Sequence, residues 1–310
     1  YIMGWSYFRD FSKEEGDTLH KFMRTVGFSM YQKKQDIDRL LRRMARERAD
    51  AACLDEKDGT RLCEIRAEVA PGMGIVLVGH ISPRGTFSRE YYFPYVLSSD
   101  TSSQADCSIQ RHTERETYAG LLDEYRVGIS LIFYIENSME YRLRRQNRLP
   151  LVPKGACLTG LAVQGKILLP VRKTPKQLEA SRLAATKRGS LLEAAKHGDE
   201  DAIETLTIED IDTYTMVSRR ILHEDMYSII ETCFMPCGIE CDQYSVIGNI
   251  LDIEIKQNRI TEEGVYCLRL DCNDVIFTVA INKKDLLGEP KVGRRFKGQI
   301  WMQGTLQFDA

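Results

Sequence analysis

Apolar residues recur first at helical and then at strand spacing. Leu19, Phe22, Met23 and Val26 fall at i, i+3, i+4 and i+7, predicting an amphipathic helix closed by Gly27. Ile37, Leu40, Leu41 and Met44 mark a second helix, whose other face carries Arg39, Arg42, Arg43, Arg46 and Arg48. The period then drops to two. Cys63, Ile65, Ala67 and Val69 alternate with Glu64, Arg66 and Glu68, the pattern of a half-buried strand. Residues 75–78 are a continuous apolar run between glycines and read as a covered strand; Pro83-Arg84-Gly85 is a turn and residues 90–96 a third strand. Residues 98–106, rich in Ser, Thr and Asp, read as a loop. Tyr118, Leu121, Leu122 and Tyr125 predict a helix, and residues 129–135 a strongly apolar strand. Residues 152–169, broken by Gly155, Gly160 and Gly165, read as one or two strands with tight turns.

The character of the chain shifts near Pro170. Residues 178–187 are basic and helical, and Ser190 caps a short helix that Gly198 ends. Asp199 caps the next, with Ala202, Ile203 and Leu206 as its apolar side. Thr207 caps another, with Glu209 and Asp210 in the first turn, where the helix dipole favours acids. Ile221, Leu222, Met226, Ile229 and Ile230 carry helical spacing on to Phe234, until Pro236 and Gly238 stop it. Beyond lies β structure. Leu251, Ile253 and Ile255 alternate with Asp252, Glu254 and Lys256, and Tyr266, Leu268 and Leu270 alternate with Cys267, Arg269 and Asp271. Asn273-Asp274 joins that run to Val275, Phe277, Val279 and Ile281 as a hairpin. Asp285 begins a helical turn, and residues 294–308 form a strand that bends at Gly298 and Gly304. The layout is α+β: residues 19–172 an N-terminal mixed α/β domain, 173–240 a helical section, and 241–310 a small OB-like β-barrel. An SH3-like barrel or an open sheet is the competing form of the last unit.

Composition narrows the function classes. Of 310 residues, 43% are hydrophobic and 28% charged, with 43 Lys and Arg against 45 Asp and Glu, so histone-like, collagenous and largely disordered proteins are excluded. No apolar run approaches the length of a transmembrane helix, and no membrane partner is expected. Nine scattered cysteines form no short disulfide framework, which fits a reducing cytoplasm. Residues 1–18 precede the structured pattern. Lys13-Glu14-Glu15-Gly16 is encodable as AAG-GAG-GAG-GG, a ribosome-binding sequence, with Leu19 as a UUG start. Residues 1–18 are therefore read as a translated leader or a terminal tail.

Three stretches resemble one family. Leu19-His20-Lys21-Phe22-Met23-Arg24-Thr25-Val26-Gly27-Phe28 is similar to the opening of a clostridial family known as domain of unknown function 3881. Gly293-Arg294-Arg295-Phe296-Lys297-Gly298-Gln299-Ile300-Trp301-Met302-Gln303-Gly304 resembles its ending, and Cys237-Gly238-Ile239-Glu240-Cys241-Asp242-Gln243-Tyr244 an interior stretch. The resemblance implies a bacterial protein and agrees with a start at Leu19. It brings no activity, ligand or catalytic residue.

Candidate chemistry is sparse. Cys233, Cys237 and Cys241, four residues apart, with His223 upstream, offer thiolates for a metal, but the spacing fits no common motif, and buried apolar thiols are the competing reading. Arg294, Arg295, Lys297 and Trp301 pair cations with an aromatic, as single-stranded nucleic acid requires. Against that, residues 241–310 hold nine basic and ten acidic side chains, and Trp301 reads equally as core. Arg142, Arg144, Arg145 and Arg148 make a second arginine-rich helix face, which with Arg39 to Arg48 forms either an anion site or a solvated surface. His112 with Glu114 and Glu116 is a polar cluster. Nucleotide-binding, zinc-protease and serine-hydrolase motifs are absent, so no catalytic residue is assigned and no cofactor expected. The expected role is a cytoplasmic, non-catalytic protein-interaction or regulatory binding module, with a protein partner favoured. Nucleic-acid or nucleotide binding through the OB-like unit and a cysteine-ligated metal protein are the alternatives.

Overall fold

The computed structural model describes residues 18–46, 50–56, 59–111, 117–171, 175–221, 225–238 and 241–309. Helix α1 (Thr18–Met23) runs into a 3-10 turn at Arg24–Val26 and stops at Gly27, which takes φ +87°. A Cβ there would lie 2.7 Å from Cβ of Asn258, so the glycine also permits a close approach to the distant C-terminal half. Helix α2 (Lys34–Arg46) buries Ile37, Leu40, Leu41 and Met44, the four positions its spacing predicts. These helices lie against an antiparallel meander of β1 (Asp50–Asp55), β2 (Arg61–Ala70), β3 (Met73–Ile81) and β4 (Phe87–Val96). Sequence spacing misses β1. Cys53 on β1 faces Cys63 on β2 and is disulfide-bonded to it, so two of the scattered cysteines are a cross-strand pair.

A second, ten-stranded sheet holds the rest. Its first members are β5 (Cys107–Arg111), β6 (Tyr118–Glu124) and β7 (Ile129–Ile135), followed by α3 (Ser138–Gln146). The helix expected around residues 118–125 is therefore strand β6. Residues i and i+4 share a face in a helix and in a strand alike, so Tyr118 and Leu122 satisfied both periods. Gly120 decides for the strand, because the Phe133 ring of β7 occupies the space its side chain would need.

Strand β8 (Gly155–Leu168) is one unbroken strand of fourteen residues rather than two with turns. Its glycines serve packing: a Cβ at Gly165 would lie 2.4 Å from the Phe296 ring. Two 22-residue helices follow, α4 (Pro175–Lys196) and α5 (Glu200–Ile221), where four short helices are expected. Asp199 is the cap foreseen, accepting from the Ala202 N–H at 3.1 Å just after Gly198 at φ +83°. Ser190 and Thr207 cap nothing. They sit inside the helices with their hydroxyls on the carbonyls of Lys187 and Ile203. After α6 (Met226–Ile229), the residues expected to continue the helix instead form edge strand β9 (Cys233–Pro236), with Phe234 buried.

The remaining strands are β10 (Gln243–Gln257), β11 (Gly264–Cys272), β12 (Val275–Asn282), β13 (Leu286–Leu287) and β14 (Arg295–Gln307). The 272–275 hairpin forms as predicted, with Asn273 and Asp274 both at positive φ. β10, β11, β12 and β14 alone leave an open sheet. β8 closes it, parallel to β12 on one side and antiparallel to β14 on the other, making a five-stranded barrel. The barrel thus draws its fifth strand from before the helical section, outside residues 241–310. Beyond the barrel, β14 pairs in parallel with β7. Phe277, Phe296, Leu268, Val246 and Met302 belong to the core cluster of the barrel. A second cluster joins the barrel residues Leu161, Val265, Cys267, Ala280 and Trp301 to Phe22, Met23, Val26 and the four-stranded sheet.

Candidate functional site

The sequence-selected cations and tryptophan of β14 meet different fates. Trp301 is 5% exposed, its ring 5.0 Å from Phe22 and 5.5 Å from Tyr134. Its indole N–H donates to Asp242 at 2.7 Å. Asp242 is itself buried, and burial pushes its carboxyl up to about 6, against the pull of the Trp301 N–H. The face that would stack a base is covered by the protein's own first helix. Arg295 is 3% exposed and donates to the carbonyls of Leu169, Tyr227 and Ile230. Leu169 precedes α4, and Tyr227 and Ile230 follow α5, so Arg295 ties the chain on both sides of the helical hairpin to the barrel. Arg294 lies just outside the strand, half-buried, with one N–H on the Glu289 carbonyl at 2.8 Å.

Lys297 finds partners that spacing could not reveal. Lys166 sits directly opposite it in the β8–β14 register, and both ammonium groups lie over the Tyr227 ring, at 4.3 and 4.7 Å from its centroid. Lys297 also donates to the Tyr227 hydroxyl, which lowers the phenol's pKa. Among the described residues neither lysine has a carboxylate within ion-pair distance.

The three cysteines do not form one cluster, although Cys237 and Cys241 lie near each other. Cys233 lies on β9 beside Cys272, whose thiol donates to the Cys233 carbonyl at 3.0 Å. Cys237 is exposed beyond that strand, and Cys241 donates to the Gln243 carbonyl. Burial raises the thiols of Cys233 and Cys237, away from the thiolate a metal binds. Among the described residues no three His, Cys, Asp or Glu side chains form a ligand group. His223, Arg48 and the His112, Glu114, Glu116 cluster lie outside the described residues.

The arginine faces have different surroundings. Arg39 and Arg43 line an open cavity of 470 Å³ with Met30, Tyr31, Asp36 and Leu40. On α3, Arg142 packs over the Tyr118 ring and Arg144 over Phe308. Sequence reasoning missed a buried charged group between the sheets. Glu64, 5% exposed, accepts from Arg66 at 2.9 Å, and Arg66 reaches across to the Glu136 carbonyl at 2.8 Å. Burial pushes the Glu136 carboxyl up to about 8; Arg66 opposes this and Glu64 adds to it.

The helical hairpin is the other exposed feature. α4 and α5 are joined by Lys187–Glu209 and Arg188–Asp210, each at 2.9 Å on partly exposed side chains, where such pairs stabilise little. Among its described side chains only Ala202 and Leu206 are buried. Leu183, Ile203, Ile208, Ile211 and Met216 are all exposed.

One family model, described as Domain of unknown function, E. rectale Gene description (DUF3881), matches residues 23–304, nearly the whole chain. The chain belongs to the DUF3881 family. E. rectale is a clostridial organism, and the match runs from the end of α1 through the hairpin to β14, so both sheets lie within DUF3881. No curated protein and no solved structure matches this DUF3881 chain. No helix among its described residues is long and apolar enough to cross a membrane.

Proposed function

We propose that this DUF3881 chain is a non-catalytic protein-interaction module of the bacterial cytoplasm, in which an OB-like barrel presents the α4–α5 hairpin to a protein partner. One observation carries the reading: α5 exposes Ile203, Ile208, Ile211 and Met216 on a helix whose buried side chains are few. Large exposed apolar patches on soluble proteins mark interaction surfaces. Arg295 supports it, since this buried arginine ties the chain before α4 and after α5 to the barrel. The barrel has the five strands and three-stranded meander of an OB-like unit. Its outer residues Val265, Cys267 and Ala280 lie under the N-terminal helix and the four-stranded sheet, leaving that face no room for a base. Seven free thiols suit a reducing compartment, and the Cys53–Cys63 bond opposes it.

Capture from lysate of the native host tests the reading. The full chain should retain a protein that Ile208→Glu and Ile211→Glu variants of equal thermal stability do not. Equal retention by wild type and variants would sink it. A second reading, an anionic or nucleic-acid ligand, has Lys166 and Lys297 in its favour, two in-register cations with Tyr227 between them. It calls for oligonucleotide binding that weakens steeply with salt and with Lys166→Glu.

A further inference from the structure

The outer face of α5 has a shape that selects its occupant. At 3.6 residues per turn, Ala202, Leu206 and Glu209 mark the side turned to α4, and Ile211 lies on the side opposite. Around Ile211 the residues Thr207, Ile208 and Thr215 are exposed and uncharged, at the three- and four-residue spacing of a helix-pairing seam. Ile211 also lies at the midpoint of a helix running from Glu200 to Ile221. Charge is arranged unevenly about that midpoint: Glu200, Asp201 and Glu204 occupy the first turns and Arg219 and Arg220 the last. Of the acids near the middle, Glu209 pairs with Lys187 and Asp210 with Arg188, leaving Asp212 beside the seam.

We infer that this seam receives the same seam of a second copy of the chain, antiparallel, about a two-fold axis through Ile211. The inference rests on the hairpin being a docking element and names its partner. In this pairing Ile211 meets the copy's Ile211, Thr207 meets its Thr215, and Glu204 lies beside its Arg219. The acidic start of each helix falls against the basic end of the other. Parallel pairing would instead set Glu204 against Glu204, so the charges at the helix ends favour the antiparallel arrangement, and Arg188 neutralises the Asp210 that falls beside the copy's Asp212. The contact is isologous, and it buries the exposed Ile208 and Ile211.

Sedimentation equilibrium of the full chain over a range of concentrations tests this. The mass should rise from 35.5 kDa towards twice that value. Ile211→Glu should weaken self-association by about 100-fold or more while circular dichroism and thermal midpoint stay as in wild type. Glu204→Arg should weaken it too, and Glu204→Arg combined with Arg219→Glu should restore it. A wild-type mass fixed at 35.5 kDa, an Ile211→Glu variant that assembles like wild type, or a charge swap that fails to restore assembly each overturns the inference. A monomeric chain that still captures a lysate protein through Ile211 would remove the second copy and leave the docking surface standing.

Discussion

Replacing Glu136 by Gln should make the fold less sensitive to alkali, because this side chain is buried at the join of the two sheets. It is 1% exposed, and its Oε2 has no hydrogen-bond partner. Its carboxyl lies at 4.5 in the ordinary case and at about 8 in the fold, so between those values the native state holds a proton that the unfolded chain has released. Stability from this group is therefore complete below 4.5 and declines as pH rises through 8. Between pH 6 and pH 8 the decline amounts to about 2 kcal/mol, at 1.36 kcal/mol per pH unit for a fully held proton. Gln keeps the shape and cannot titrate. Asp242, near 6, is common to both proteins and cancels in the comparison. Urea unfolding at pH 6, 7 and 8, followed by circular dichroism, should show wild type losing about 2 kcal/mol more than Glu136→Gln across that interval. Parallel pH profiles would refute the assignment of a buried, protonated carboxyl at position 136.

Other expectations concern the barrel and the cysteines. Gly165→Ala pushes a Cβ to 2.4 Å from the Phe296 ring, so it should cost about 1–3 kcal/mol in urea unfolding, and an unchanged midpoint would contradict close packing at that seam. Trp301→Ala should cost about 3–5 kcal/mol and leave oligonucleotide binding as in wild type. Lost binding at unchanged stability would return Trp301 to the role of a stacking platform. Thiol titration in denaturant without reductant should find seven reactive cysteines of nine, and nine would remove the Cys53–Cys63 bond.

Much of the local structure is legible in the residues, and much of the long-range structure is not. Ile37 to Met44 and the Asn273-Asp274 turn announce themselves because their signal is complete within a few residues. The barrel does not, since its closing strand β8 ends 75 residues before the other barrel strands begin, measured from Leu168 to Gln243. The same distance hides the site. Arg295 and Lys297 stand out as cations, but their roles come from Leu169, Tyr227 and Lys166, which no spacing brings near them. On α5 the obstacle is chemical. Thr207 is a good cap, and reading it so divides the helix between Leu206 and Ile208 and conceals the seam centred on Ile211. Its hydroxyl bonds the Ile203 carbonyl four residues back, which a threonine inside a helix does as readily.

Amide hydrogen exchange across the whole chain, measured with and without the protein it captures, locates the interaction surface. Residues 200–221 should exchange more slowly in the complex, with the change centred on Ile211, while barrel strands β8 and β14 stay as they were. Protection confined to the barrel seam around Lys166, Lys297 and Tyr227, with α5 unchanged, would contradict the hairpin as the interaction surface.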